Sequence, residues 1–189
     1  MLQVQSLSVE IGGRLVVEEA TFTVMPKDKV GLVGRNGAGK TTLLRAMLGA
    51  CQGERVIAVE DVSEIGLESG HFISMQTRQA NIEGAGEVGL DKLLREALRM
   101  RPDRLAVGEV RGAELLVMLQ ALNTGHSGGG ATIHANSFDS VKNRIGSIAW
   151  QCGIAADELI AQAKSAIDWL IFVGRENGRH SVLQIGRFE

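Results

Sequence analysis

The stretch Gly34-Arg-Asn-Gly-Ala-Gly39-Lys40-Thr41-Thr42 carries the residue types that grip an oligophosphate. Glycines let the backbone bend tightly around an anion, so that successive N–H groups point at one spot. A helix beginning at the end of such a turn adds the partial positive charge of its N-terminus. The spacing is G-x-x-x-x-G-K-[ST], the phosphate-binding loop called Walker A. In that pattern Lys40 reaches the terminal phosphates and the Thr41 hydroxyl ligates Mg²⁺. Gly34, Asn36, Gly37, Ala38, Gly39, Lys40, Thr41 and Thr42 are therefore the candidate nucleotide-binding residues.

Further candidates close short apolar runs. Arg55-Val-Ile-Ala-Val59 ends at Glu60-Asp61, and Arg104-Leu-Ala-Val-Gly108 ends at Glu109. In an open α/β sheet the ligand sits beyond the carboxyl ends of the strands, and phosphoryl transfer to water needs a metal, a cation clamp and an acid that orients the water. Glu109 either holds Mg²⁺ through water or orients the nucleophile, and Glu60 takes the other task. The competing reading for each is a loop or helix-capping carboxylate facing solvent. His134 ends Thr132-Ile-His134 and offers a hydrogen-bond donor to a γ-phosphate; a buried structural histidine is the alternative. Arg78, in a polar loop, is either a phosphate clamp, within the chain or across a subunit interface, or a solvated surface arginine. His126 is a weaker candidate, and His71 and His180 carry no signal.

The elements that must position these residues are legible from pattern. Val4, Leu7 and Val9 alternate, Ile11-Gly-Gly-Arg14 is turn-like, and Leu15 to Val24 reads as a second strand, which together predict an antiparallel hairpin. Pro26-Lys-Asp28 turns into the strand Lys29 to Val33. Leu43 to Leu48 is helical. Arg55 to Val59, His71 to Met75, Arg104 to Gly108 and Gly128 to His134 are strand-like, and Thr77 to Gly89 is a polar, Gly-rich loop. Apolar positions 90, 93, 94, 97 and 98 mark a helical face. Ala113 to Leu122, Ser137 to Trp150 (with Ser137 as N-cap) and Ala155 to Ala166 are further helices. Ile167 to Val173 and Ser181 to Ile185 flank Glu176-Asn-Gly178, a second hairpin signal. Strands alternating with helices predict a mainly parallel sheet with helices on both faces.

Composition narrows the function classes. The chain has 189 residues, 44% hydrophobic and 22% charged, with net charge −2, which predicts a globular domain without the strong positive field of a nucleic-acid binder. Aromatics are few and Tyr is absent, so stacking platforms for single strands are not expected. No apolar run reaches membrane-spanning length and no signal-peptide pattern appears. Cys51 and Cys152 lack metal-ligand spacing and read as reduced thiols of a cytoplasmic protein.

From Glu60-Asp61 onward the chain resembles the ATPases of type II and type IV secretion, in particular the conjugative-transfer and pilus-assembly branch. The resemblance rests on Glu60-Asp61 and Glu64 (acidic box), Asn81-Ile-Glu-Gly-Ala-Gly-Glu-Val88, and Leu94-Arg-Glu-Ala-Leu-Arg-Met-Arg-Pro-Asp-Arg104. It rests also on Val107-Gly-Glu-Val-Arg-Gly112 (a Walker B that uses Glu), Asn123-Thr-Gly-His126 and Thr132-Ile-His-Ala-Asn136 (His box). It covers roughly residues 54–189. It implies ATP hydrolysis by a homohexamer docked on an inner-membrane machine. It also implies Glu60 in water activation or metal ordering, Glu109 in the Walker B role, His134 as γ-phosphate sensor, and Arg78 as a phosphate-contacting arginine. Residues 1–50 instead resemble an ABC ATPase in Leu7-Ser-Val-Glu-Ile-Gly-Gly-Arg14, Ala20-Thr-Phe-Thr-Val24 and Val30 to Arg45. There the hairpin is a β-subdomain beside the adenine.

The expectation is a three-layer α/β P-loop NTPase of RecA/ASCE type. It is one domain over 1–189, with an ABC-like hairpin, Walker A and first helix in 1–50 and a secretion-ATPase-like core in 54–189. The two likenesses suggest a recombined or engineered join near Ala50 to Glu54. The expected activity is Mg²⁺-dependent ATP hydrolysis, with ATP or ADP bound at the loop, Lys40, Glu60, Glu109, His134 and Arg78 as catalytic candidates, and Thr41 and Glu109 (through water) on the metal. The alternatives are a nucleotide-binding module with little turnover and an ABC-type transport subunit. Expected partners are ATP and further copies of the chain, with no nucleic acid, and with membrane contact only through a partner complex.

Overall fold

The computed structural model describes residues 2–11, 14–25, 27–68, 71–82, 85–126, 128–176 and 179–188; within residues 2–23, the side chains of Gln5, Thr21 and Thr23 are described. The order is β1 (Leu2–Ile11), β2 (Arg14–Val24), β3 (Lys29–Gly34), α1 (Lys40–Gly49), β4 (Val56–Glu60), β5 (Phe72–Gln76), α2 (Leu90–Arg99) and β6 (Arg104–Val110). Then follow α3 (Glu114–Asn123), β7 (Gly129–His134), α4 (Val141–Gln151), α5 (Ala156–Ala166), β8 (Trp169–Glu176) and β9 (Arg179–Gly186).

Seven strands form one sheet in the order β5-β4-β6-β7-β3-β8-β9, parallel except for the terminal β8–β9 pair. The inner strands are apolar on both sides because both faces are covered; all of β4 is buried. Alternate residues feed opposite cores. Val33, Val59 and Val107 pack with α2, α3, α4 and α5. Leu32, Ala58 and Ala106 pack with α1, Val24 and Ile65. Helices thus lie on both faces, as the alternation of elements predicts, but unequally: four on one side and α1 on the other. The β1–β2 hairpin makes its own two-stranded antiparallel sheet, with β2 beside β9. The turn residues Gly12, Gly13 and Pro26, and Asn177-Gly178 of the second hairpin, lie outside the described residues.

One expected boundary is corrected. Helix α4 begins at Val141, not Ser137. Ser137 and Ser140 exchange side-chain to backbone hydrogen bonds, Ser140 N to Ser137 Oγ at 3.2 Å and Ser137 N to Ser140 Oγ at 3.0 Å. That is the reciprocal geometry of a capping box. Ser137 thus caps a lead-in turn rather than the first regular turn of the helix.

Candidate functional site

The phosphate loop is a strand–turn–helix unit. Strand β3 delivers Gly34 to the carboxyl edge, where Arg35, Asn36 and Gly37 are exposed. Gly37 (φ 71°) and Gly39 (φ 95°) adopt left-handed backbone, which other residues tolerate poorly. Ala38 N donates to Arg35 O at 3.1 Å. Gly39 stands at the N-cap of α1 with no side-chain cap and no acidic residue in the first turn. The positive end of α1 is thus left uncompensated and open to an anion. Thr41 and Thr42 are half-buried in that turn.

Lys40 is folded back on the loop. Its Nζ donates to Gly34 O at 2.8 Å and Arg35 O at 3.0 Å. Burial pushes its pKa down, and the negative charge of Glu109 pushes it partly back up. That coupling puts Glu109 within electrostatic reach of the loop lysine, although its strand stands two places from β3. The means is a bulge. The β6–β7 ladder runs Val107↔Ala131 and then Val110↔Ile133, so β6 holds one residue more than β7 between these pairs. Such a bulge bends the strand and re-aims a side chain. The Gly108 carbonyl, out of the regular ladder, accepts the Thr132 hydroxyl at 2.5 Å.

Glu60 closes β4, the next strand out. It is 2% exposed. Its Oε1 accepts N–H groups from Glu64 (3.1 Å) and Ile65 (3.0 Å). Burial raises its pKa above the ordinary glutamate range, against the lowering effect of those two amides. Its alkyl chain fits against Gly108, where an added Cβ would come within 2.9 Å of Glu60 Cγ. Glu60 is therefore a neighbour of the Glu109 bulge rather than of the phosphate loop, and it anchors the segment after β4.

His134 closes β7 opposite Gly34 in the parallel register. Its Nδ1 lies 3.2 Å from Asn36 Oδ1, which ties the loop to its neighbouring strand. Arg78 is exposed, in the loop after the edge strand β5; its Nε donates to Gly86 O at 2.7 Å, and its backbone pairs with Val88. Four strand spacings of about 4.8 Å separate β5 from β3, about 19 Å in all, so Arg78 does not touch the loop of its own chain. His126 precedes β7 and lies at the opposite edge of the sheet. At that same edge, Val30, Leu44, Met47, Cys51, Arg104 and Gly130 help line a cavity of about 190 Å³.

Sequence reasoning passed over three residues. Glu114 is buried, and its Oε1 accepts the backbone N–H of Gly112 at 2.7 Å and that of Arg111. It therefore pins the chain just after Glu109 and sits favourably at the N-terminus of α3. Thr132 supports the bulge. Arg111 Nη2 donates to Glu109 Oε2 at 2.6 Å. A glycine inside a strand pattern, Gly108, was the available signal of a bulge.

As to a metal, Thr41 and Glu109 are hard oxygen donors, and Mg²⁺ is commonly held by one or two such groups plus substrate phosphates. Among the described residues no group of three or more His, Cys, Asp or Glu is arranged to hold an ion by itself. The donor set therefore fits a cation that arrives with phosphates.

A mostly parallel sheet with a glycine nest, a buried lysine and a helix N-terminus at its carboxyl edge defines the P-loop class of nucleotide-binding proteins. Residues 19–171 match the family described as Type II/IV secretion system protein, and the chain belongs to that family. It is 47% identical over 154 residues to a putative conjugal transfer protein of Mycobacterium tuberculosis, covering 80% of this chain and 44% of that one. It is 36% identical to the type IV secretion system protein PtlH of Bordetella pertussis over 78% of this chain and 45% of the relative. The crystal structure of the VirB11 ATPase from the Brucella suis type IV secretion system, in complex with sulphate, superposes with a TM-score of 0.74 at 22% identity, over 85% of this chain and 50% of that one. The chain thus spans about half the length of the curated relatives it matches. No helix among the described residues is long and apolar enough to cross a membrane.

Proposed function

We propose that this chain is the nucleotide-hydrolysing core of a secretion or conjugation motor, turning over ATP with Mg²⁺. The observation that carries the reading is the placement of Glu109, at a bulge two strands from the phosphate loop and close enough for its charge to act on Lys40. The amides of residues 34–41 and Lys40 bind the phosphates. Thr41 and Glu109 are the groups that would hold Mg²⁺, which when bound neutralises charge on the β- and γ-oxygens. In this reading Glu109 also orients the attacking water and His134 senses the γ-phosphate, a role supported by its contact with Asn36 of the loop. Glu60 acts in this account by shaping the Glu109 bulge; direct work on water would require residues 61–65 to release its carboxylate. Arg78 is assigned to the loop of a second copy, which is consistent with a ring.

A second reading is a nucleotide-binding module with little turnover. It is favoured by the placement of Arg78, since an arginine supplied in trans is worth roughly 10³–10⁵ in rate where it operates. The expected join near Ala50 to Glu54 gains no support: the family match begins at residue 19, inside β2, and runs through the phosphate loop, which supports one lineage for loop and carboxylates.

Phosphate release measured against protein concentration separates the two readings. Turnover that rises steeply with concentration supports shared sites; background release with intact ADP binding supports the module. Lys40→Ala should abolish nucleotide binding, and Glu109→Gln should keep binding and remove turnover. Hydrolysis by Glu109→Gln at the parent rate refutes the assignment.

A further inference from the structure

We propose that Arg111 is a positioning residue that holds Glu109 in the nucleotide-free protein and releases it to the water shell of an incoming divalent cation by transferring to Asp61. This rests on the function proposed above and adds a gate to the same site. Lys40 and Arg111 both act on Glu109. Lys40 is engaged by the Gly34 and Arg35 carbonyls and interacts with Glu109 only at a distance. Arg111 makes direct contact: its Nη2 is 2.6 Å from Glu109 Oε2. The same guanidinium points its other amino group at Asp61, with Nη1 3.6 Å from Oδ2. Glu109 is the more enclosed carboxylate, with 22% of its side chain exposed against 39% for Asp61.

Hydrogen bonds hold the backbone around this fork, while the fork itself is exposed. Glu114 holds the Arg111 and Gly112 amides, and Asp61 is steadied by the Thr77 hydroxyl, 3.3 Å from Oδ1. The Arg111 side chain is 58% exposed. A short rotation of an exposed guanidinium exchanges its two carboxylate partners without moving either strand. In the free protein, Arg111 neutralises a carboxylate that would otherwise stand unpaired at the rim of the site. When phosphates bring a cation, Glu109 has a better partner and Arg111 settles on Asp61. The cation must therefore displace a guanidinium, and Asp61 lowers the cost of that displacement.

The test uses Mn²⁺ as probe, titrated into the protein saturated with ADP, with free Mn²⁺ read by electron paramagnetic resonance. Arg111→Gln should tighten Mn²⁺ by about threefold to fivefold, the range in which exposed ion pairs act. Asp61→Asn should weaken it about twofold, and that effect should vanish in the Arg111→Gln background. Arg111→Lys, which keeps a cation beside Glu109 but not the fork that also reaches Asp61, should weaken Mn²⁺ about twofold, as Asp61→Asn does. Unchanged or weaker Mn²⁺ binding by Arg111→Gln overturns the proposal. So does a wild-type response from Arg111→Lys, or an Asp61→Asn effect that persists without Arg111, because either outcome reduces the role to bulk charge. Independently, urea unfolding of the free protein should show Arg111→Gln and Glu109→Gln to be coupled; strict additivity overturns the resting contact. Loss of ADP binding by the parent protein would condemn the proposed function instead, and the unfolding cycle would still judge the Arg111–Glu109 contact.

Discussion

Replacing Gly108 by Ala tests whether β4 and β6 cooperate in shaping the site. A Cβ at this position would stand 2.9 Å from Glu60 Cγ, 3.3 Å from its Cβ and 3.4 Å from its Oε1. Carbon atoms pack best at about 3.5–4.0 Å, so Glu60 must retreat by roughly half an ångström or more. It has little room, being 2% exposed, and its Oε1 is committed to two amides at 3.1 and 3.0 Å. Overpacking costs about 1–3 kcal/mol, and an amide left without a partner costs about 1–3 kcal/mol. Because the retreat that relieves the first creates the second, the two do not simply add, and about 2–4 kcal/mol is expected. Equilibrium urea unfolding of the parent and the variant gives the figure. The decisive comparison is the same substitution in a Glu60→Ala background, where the obstacle is gone and the cost should vanish or become a gain of about 0.4–1 kcal/mol, as for an unstrained Gly-to-Ala change. A cost under about 0.5 kcal/mol in the parent, on the scale of a neutral surface change, would refute the contact. Equal costs in both backgrounds would refute its attribution to Glu60.

Two pH effects follow from the same site. Burial raises the Glu60 pKa, so the folded state binds its proton more readily than the unfolded state, and the penalty for burying the charge disappears as pH falls from the raised folded value toward the ordinary glutamate range. The stability difference between the parent and Glu60→Gln should therefore shift in favour of the parent as pH falls through that window; a difference that is flat with pH, or that shifts against the parent, contradicts the assignment. Burial lowers the Lys40 pKa in the free protein, and bound phosphates stabilise its charge. Nucleotide affinity should then fall as pH rises through the free-protein value, which isothermal titration at several alkaline pH values would show; affinity independent of pH across that range would contradict it.

The phosphate loop was legible because its chemistry is local. Left-handed glycines, a lysine and a hydroxyl at fixed spacing are backbone requirements that leave a pattern in one short segment, and the structure shows them as a turn between β3 and α1. The parallel sheet was legible for a similar reason, since strands covered on both faces read as unbroken apolar runs, as in Val56–Glu60. Strand order was not, because parallel neighbours are joined by crossovers that leave no local mark. The consequences are concrete. Glu60 and Glu109 look equivalent as residues ending apolar runs, yet β6 stands one strand nearer to β3 than β4 does. Arg78 and His134 both follow strands, yet one ends at the sheet edge and the other beside Gly34. Helix α4 starts later than its pattern suggests because the capping pair Ser137 and Ser140 stabilises a turn before the regular helix begins.

The sheet order also explains why the site depends on so few side chains. β7 lies between the strand that carries the loop and the strand that carries Glu109, a span of two spacings, or about 10 Å. A regular strand would end with its last carboxylate at the far rim of that gap. The extra residue in β6 breaks the regular alternation just before Glu109, whose charge is felt at Lys40, and the Thr132 hydroxyl of the intervening strand donates to the Gly108 carbonyl in the bulge. The strand that separates the two halves of the site is thus the one that holds their geometry, and its last residue, His134, reaches Asn36 of the loop. Loop, spacer and carboxylate are locked to one another by two hydrogen bonds across β7.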